Sequence, residues 1–315
     1  METRRIGSLE VSVVGLGCNN FGGRLDRQGA RSVVAAALDA GVNFFDTADM
    51  YGETRSEELL GDALGGRRDQ TVVATKFGWW IDDQRHGAKP DYVRRAVEDS
   101  LRRLGTDRID LYQLHRPDPE TPIEQTLAVL DELVRAGKVR EIGCSQFSAA
   151  QLREAQAAVR GGAARFVSVQ NQYSLLHREP EREVLPECER QGLAFLPFFP
   201  LASGILTGKY RRGAPAPTGT RLSANSGLAD LFLNDRNLAT AEALAAFAER
   251  RGHSLLELAF SWLLRHRVVP SVIAGAMSPE QVRANVAAAG WRLSAEELAE
   301  VDRLAPPAPP AAPAG

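Results

Sequence analysis

The sequence predicts an α/β fold, a single (β/α)8 TIM barrel with an N-terminal hairpin cap and long loops on the C-terminal side of its strands. Two observations carry that expectation. Short apolar runs of strand length alternate with segments of helical period, which is the pattern of a parallel sheet wrapped by helices. The strand candidates also number eight, at residues 13–17, 43–46, 71–76, 109–115, 140–145, 166–170, 193–197 and 269–274, the count that closes a barrel.

Taken in chain order, a hairpin-like start precedes the first candidate strand. The clearest helix covers 91–104, where Val93, Ala96, Val97, Ser100, Leu101 and Leu104 recur on one face. Pro90 suits its first turn and Gly105 its stop. Residues 123–136 repeat the pattern through Ile123, Leu127, Leu130 and Val134, with Gly137 following. Residues 210–237 carry Gly, Pro, Ser and Asn around a short apolar patch at 231–233, so they read as a long functional or mobile loop. The barrel is expected to occupy residues 1–304, and the Pro/Ala tail at 305–315 to be disordered.

Composition narrows the function. Of 315 residues, 44% are hydrophobic and 25% charged, with 38 basic against 40 acidic side chains. A formal charge of −2 and scattered Arg pairs leave no basic face for nucleic acid. The longest apolar stretch, 193–206, is broken by Pro197 and Pro200, so no membrane span is expected. The start lacks the continuous apolar core of a signal peptide. Cys18, Cys144 and Cys188 are far apart and odd in number, which fits neither a disulfide framework nor a metal site. The expected compartment is a reducing cytoplasm, and no metal is expected.

The informative feature is where reactive side chains fall. Asp46, Lys76, His115, Ser145 and Gln170 close five successive candidate strands, and Tyr51 lies five residues past Asp46. Singly, each has an ordinary explanation as a cap, a solvated charge or a packed residue. In a (β/α)8 barrel, however, the C-terminal strand ends form one rim where active sites are built. Independent surface residues have no reason to choose that position repeatedly.

The segments Phe45-Asp46-Thr47-Ala48-Asp49-Met50-Tyr51-Gly52, Ala74-Thr75-Lys76, Leu114-His115, Gly143-Cys144-Ser145 and Gln170-Asn171-Gln172-Tyr173 resemble the aldo-keto reductases in order and spacing. The resemblance runs from Gly15 to about Leu304. PLASGILTGKY at 200–210 and SVIAGAMSPEQVRAN at 271–285 look most like the bacterial branch related to potassium-channel β subunits. It implies Asp46, Tyr51, Lys76 and His115 as a catalytic tetrad in NAD(P)H-dependent reduction of an aldehyde or ketone, or the reverse reaction on an alcohol. The chemistry suits the residue types: a nicotinamide supplies hydride, and the protein protonates the developing alkoxide. A phenol with a pKa near 10 is a poor donor at neutral pH, so a neighbouring Lys76 is expected to lower the pKa of Tyr51, with Asp46 holding the lysine charged.

Cofactor binding has to be read without a dinucleotide fingerprint, because Gly15-Leu16-Gly17 lacks the third glycine. The resemblance implies instead Ser145 and Gln170 on the nicotinamide carboxamide, Phe198 near the ring, and Gly275, Gln281 and Asn285 around the phosphate and adenosine end, with Gln146, Pro200, Leu201, Ser278 and Arg283 as further cofactor-binding candidates. Three positions depart from the family pattern: Gln146 replaces Asn, Phe198 replaces Tyr, and Met277 stands where Ser, Thr or Arg meets the ribose 2′-phosphate. A thioether binds no phosphate. NADP(H) is therefore favoured over NAD(H) by a narrow margin only, with Ser278 and Arg283 the remaining local candidates for the contact, and Arg283 reads equally well as a solvated helix residue. Phe21, Trp79 and Trp80 flank the rim as candidates for an apolar substrate pocket, although consecutive residues point apart and only one tryptophan is expected to enter it. The competing reading is a nicotinamide-sensing regulatory subunit with little turnover and a protein partner.

Overall fold

The computed structural model describes residues 1–307. The chain opens with an antiparallel hairpin, β1 (Thr3–Ile6) and β2 (Leu9–Ser12), turning at Gly7 with φ 55°. Ile6, Leu9 and Val11 of the hairpin are buried with Phe44, Val72, Leu111, Leu196 and Ile273. These five belong to the barrel strands, so the hairpin plugs the mouth opposite the carboxyl ends of those strands.

Eight parallel strands follow: β3 (Val14–Gly17), β4 (Phe44–Asp46), β5 (Val72–Phe77), β6 (Ile109–Leu114), β7 (Val139–Ser145), β8 (Phe166–Gln172), β9 (Ala194–Phe198) and β10 (Val272–Gly275). They pair in the order β10-β3-β4-β5-β6-β7-β8-β9. The remaining seam is drawn together where the Phe195 N–H donates to the Val268 carbonyl at 2.6 Å, which makes the ring a nearly closed (β/α)8 barrel. The last strand begins at Val272 rather than at 269, because Pro270 has no N–H to give the ladder.

Helices α1 (Arg27–Asp39), α2 (Arg55–Leu64), α3 (Pro90–Leu104), α4 (Ile123–Arg135), α5 (Ala149–Ala158) and α6 (Val184–Gln191) follow β3 to β8 in turn. Beyond β9 come α7 (Ser226–Phe232), α8 (Asp235–Glu249) and α9 (Leu255–Leu264), and beyond β10 come α10 (Pro279–Ala287) and α11 (Ala295–Leu304). The expected loop at 210–237 therefore contains α7 and the first turn of α8. Two of its three asparagines, which read as loop composition, are caps: Asn225 and Asn234 accept from the N–H groups of Leu228 and Asn237, each at 2.9 Å.

The C-terminal helix is tied to the barrel by the buried Arg178, which donates to Asp302 at 2.8 Å and to the Ala305 carbonyl at 2.6 Å. Ala305 is buried. Of the tail expected at 305–315, residues 308–315 lie outside the described residues.

Helices α2 and α3 approach so closely that a Cβ at Gly61 would stand 2.2 Å from the Leu104 carbonyl oxygen. Gly61→Ala gains about 1 kcal/mol of helix propensity, yet it forces two backbones apart, and overpacking of this kind costs about 1–3 kcal/mol or more. A net loss of stability is expected in urea unfolding. A variant as stable as the parent would show that the two helices separate freely.

Candidate active site

The carboxyl ends of the barrel strands surround a cavity of about 940 Å³. Asp46 ends β4, Lys76 is the penultimate residue of β5, His115 follows β6, Ser145 ends β7 and Gln170 lies in β8. Successive parallel strands thereby bring side chains distant in sequence to one rim. Lys76 is 0% exposed and lies behind the cavity wall. Its ammonium donates to Asp46 Oδ2 at 2.7 Å and to the Thr47 carbonyl at 2.8 Å. The other Asp46 oxygen accepts from Gln170 Nε2 at 3.0 Å and from Gln113 Nε2 at 3.4 Å. A buried ion pair is tolerated only when its remaining polar atoms are occupied in this way.

Tyr51 is brought to the pair by the loop after β4. Thr47 and Asp49 extend the strand pairing by donating their N–H groups to the carbonyls of Ala74 and Lys76, at 2.9 and 3.0 Å. The chain then turns back through three successive positive φ values, 57° at Gly52, 56° at Glu53 and 73° at Thr54. Gly52 has no alternative, since a Cβ there would sit 2.2 Å from the Phe21 carbonyl oxygen. Arg55 pins the turn by bonding the carbonyls of Gly22 and Gly52. The outcome places the Lys76 ammonium 5.3 Å from the Tyr51 ring centroid. His115 lies edge-on to Tyr51 at 5.8 Å, and Trp79 lies against His115 at 5.1 Å.

Burial decides the charge states. It pushes the Tyr51 phenol above its ordinary value, while Lys76 pulls it down, Asp46 pushes it up and Arg221 pulls it down. The lysine acts in the expected direction, but desolvation outweighs it, so the expected net lowering is corrected to a rise. Burial alone would lower the Lys76 pKa, yet Asp46 and Tyr51 overcome it and the ammonium is favoured. Burial drives His115 well below the usual imidazole range, and the cations Lys76 and Arg116 add to this. A neutral imidazole with a buried, unpartnered Nδ1 therefore stands beside a protonated phenol.

The second set of sequence candidates divides. Ser145, Gln146, Gln170, Phe198, Pro200, Leu201, Gly275, Gln281 and Asn285 line the cavity. The Ser145 hydroxyl donates to the Gln170 carbonyl at 2.7 Å, and Gln146, at φ 61°, donates to the His115 carbonyl at 3.1 Å. Met277 also lines the wall, with its N–H held by Gln281 at 2.9 Å. Four candidates stand outside it. Ser278 caps α10, and Arg283 projects from α10 into a surface pair with Glu280 at 2.8 Å. Phe21 is 0% exposed in the core and Trp80 is 60% exposed, so the expectation that they form the pocket is corrected to Trp79 alone; the backbone after β5 turns one indole inward and the next out to solvent.

Sequence reasoning missed Phe199, Ser203, Lys209, Arg221 and Arg24, all in the wall. The last three make it cationic, since Asp46 is the sole carboxylate among the lining residues and is paired with Lys76. A Lys after Gly208 and an Arg ending a polar loop were visible, but nothing local says that the loop folds over the rim. Among the described residues, no group of three or more His, Cys, Asp or Glu is placed to hold a metal ion, and no helix is long and apolar enough to cross a membrane.

Comparison with known proteins agrees with this geometry. The aldo/keto reductase family model matches residues 13–306. A probable voltage-gated potassium channel subunit beta of Oryza sativa subsp. japonica is 36% identical over 91% of this chain and 91% of its own length. The aldo-keto reductase YhdN of Bacillus subtilis is 35% identical over 94% of this chain and 90% of its own. The L-glyceraldehyde 3-phosphate reductase of Escherichia coli K12 is 31% identical over 94% and 89% respectively.

The state of His115 has a measurable consequence. An imidazole neutral in the fold but titrating at 6.5 when unfolded contributes stability that is present above pH 6.5 and lost as pH falls toward the depressed folded value. His115→Gln abolishes that contribution, so any stability advantage of the parent in thermal melts is expected to shrink steadily from pH 7 to 5. A constant difference would mean that the imidazole takes up its proton as readily in the fold as in the unfolded chain, and a growing one that it is held charged.

Proposed function

Because the chain belongs to the aldo/keto reductase family and is an oxidoreductase, we propose that it reduces a small aldehyde or ketone with NAD(P)H, with Tyr51 donating the proton. The observation that carries this reading is the Tyr51 phenol at the cavity wall, backed by the Lys76–Asp46 pair and flanked by His115.

The cavity suits an anionic dinucleotide. Lys209, Arg221 and Arg24 face it with no free carboxylate among the lining residues, and Ser203 there has a buried hydroxyl without a partner. Ser145 and Gln170 would hold the carboxamide of the nicotinamide, with Gln146 beside them, Phe198 near the ring, and Pro200, Leu201, Gly275, Gln281 and Asn285 along the remainder. When bound, the reduced nicotinamide supplies the hydride. His115 orients the carbonyl by hydrogen bonding its oxygen. Tyr51 gives its proton to that oxygen as negative charge develops there, and the Lys76 ammonium stabilises the phenolate left behind. Trp79 supplies an apolar wall for the substrate.

NADPH is the cofactor in this reading, with NADH second. The Arg283–Glu280 pair is exposed and of the weak surface kind, so Arg283 is free to exchange partners for a 2′-phosphate. Free cysteines, all buried, fit a reducing cytoplasm as the place of action. The rice relative's name raises a second reading, a nicotinamide-responsive subunit of a protein assembly, which turnover separates from the first.

Tyr51→Phe removes one hydroxyl at the cavity wall, so folding and the quenching of Trp79 fluorescence by NADPH are expected to persist while carbonyl reduction falls roughly 10²–10⁴-fold. Comparable rates in variant and parent would defeat the assignment. In the same titration NADPH is expected to bind more tightly than NADH, with the gap narrowing in Arg283→Ala and at high salt. Tighter NADH binding by the parent would reverse the cofactor preference and leave the reductase reading standing.

A further inference from the structure

Behind the Tyr51 loop lies a buried cluster that the chemistry above does not use. Asp49 hangs on the end of β5 through its backbone bond to Lys76, but its side chain is not part of the cavity wall and is 1% exposed. Its Oδ2 accepts from the Tyr92 hydroxyl of α3 at 3.3 Å, and Oδ1 is buried with no partner. A second buried carboxyl, Glu57 of α2, stands close by. It takes the Thr75 hydroxyl at 2.6 Å and Arg103 of α3 at 2.7 Å. The groups facing Asp49 are therefore Glu57 from α2, Tyr92 and Arg103 from α3 and Tyr112 from β6, whose own hydroxyl is buried without a partner. One guanidinium serves two buried carboxyls, and it is spent on Glu57.

Two carboxylates cannot both ionise in such a site, because an uncompensated buried charge costs several kcal/mol. We propose that Asp49 is a positioning residue for Tyr51, held as the neutral acid by this cluster, and that losing its proton to solvent draws the loop carrying Tyr51 away from the rim. The inference rests on Tyr51 being the proton donor. Its electrostatic basis agrees in direction: burial first, then Glu57, push the Asp49 carboxyl up to about 8, against Arg103, Tyr92 and Met50. Asp49 lies two residues before Tyr51 and shares its turn, so a movement at one is passed to the other through a backbone with little slack.

Asp49→Asn mimics the protonated acid in shape and in its donor and acceptor, and it cannot ionise. Two measurements on the full-length protein test the proposal. In thermal melts, a carboxyl raised from 3.8 to about 8 on folding contributes stability that is lost as pH rises through that window. The melting temperature of Asp49→Asn relative to the parent should therefore climb with pH up to about 8 and then level. In pH profiles of carbonyl reduction, the parent should lose kcat near pH 8 with little change in KM. The variant should keep kcat within about threefold at pH 7 and hold it to a pH at least about one unit higher. Glu57→Gln removes the competing charge and should bring the alkaline loss to lower pH.

A flat thermal difference overturns the neutral acid. A rising thermal difference with identical alkaline limbs overturns the positioning role, as does a folded Asp49→Asn that is inactive at pH 7. If the parent reduces no carbonyl, the reading of Tyr51 fails and the positioning role falls with it, while the thermal difference still reports the Asp49 proton.

Discussion

The rim is organised around a salt bridge buried at the floor of the cavity. Lys76 and Asp46 sit on adjacent parallel strands, and neither charge survives burial without the other. Removing one partner from such a pair typically costs about 3–5 kcal/mol. That constraint fixes more than two side chains. Asp46 must have its second oxygen filled, which commits the amide of Gln170, and Lys76 must satisfy a further donor, which commits the Thr47 carbonyl and so the start of the Tyr51 loop. The barrel supplies the rigidity, because all these groups leave the ends of hydrogen-bonded strands.

The same pair defines the electrostatics felt by Tyr51 and His115. A lone ammonium beside a phenol would favour phenolate. Here the ammonium is paired with Asp46, and the low dielectric of the rim favours the uncharged phenol, so Tyr51 keeps its proton. His115 is subject to the same two influences, but there they add instead of opposing each other, since burial and a nearby cation both favour neutral imidazole. Protonated phenol, neutral imidazole and charged lysine are three outcomes of one buried arrangement.

Much of this was legible in the sequence. The eight strand periods and the glycine stops placed the rim, and position at a strand end singled out Asp46, Lys76, His115, Ser145 and Gln170, because a parallel barrel converts that position into proximity. What depended on tertiary burial was not legible. The sign of the shift at Tyr51 turns on desolvation, which no spacing records. The cations Arg24, Lys209 and Arg221 come from loops whose path over the cavity has no local signal. Trp79 and Trp80 are indistinguishable by composition, and only the turn after β5 decides which faces His115. Asn225 and Asn234 read as loop residues although they cap helices, since the same side-chain chemistry serves both ends.

The central claim is that burial, tempered by the Lys76–Asp46 pair, keeps Tyr51 protonated. Its most direct measure is the titration of the Tyr51 ring itself, followed by NMR with carbon-13-labelled tyrosine and assigned by the signal lost in Tyr51→Phe. The phenol is expected to titrate above the ordinary value of about 10, and to rise further in Lys76→Met, where the cation is gone and Asp46 remains. A Tyr51 signal titrating well below 10, or one indifferent to Lys76→Met, would contradict the account.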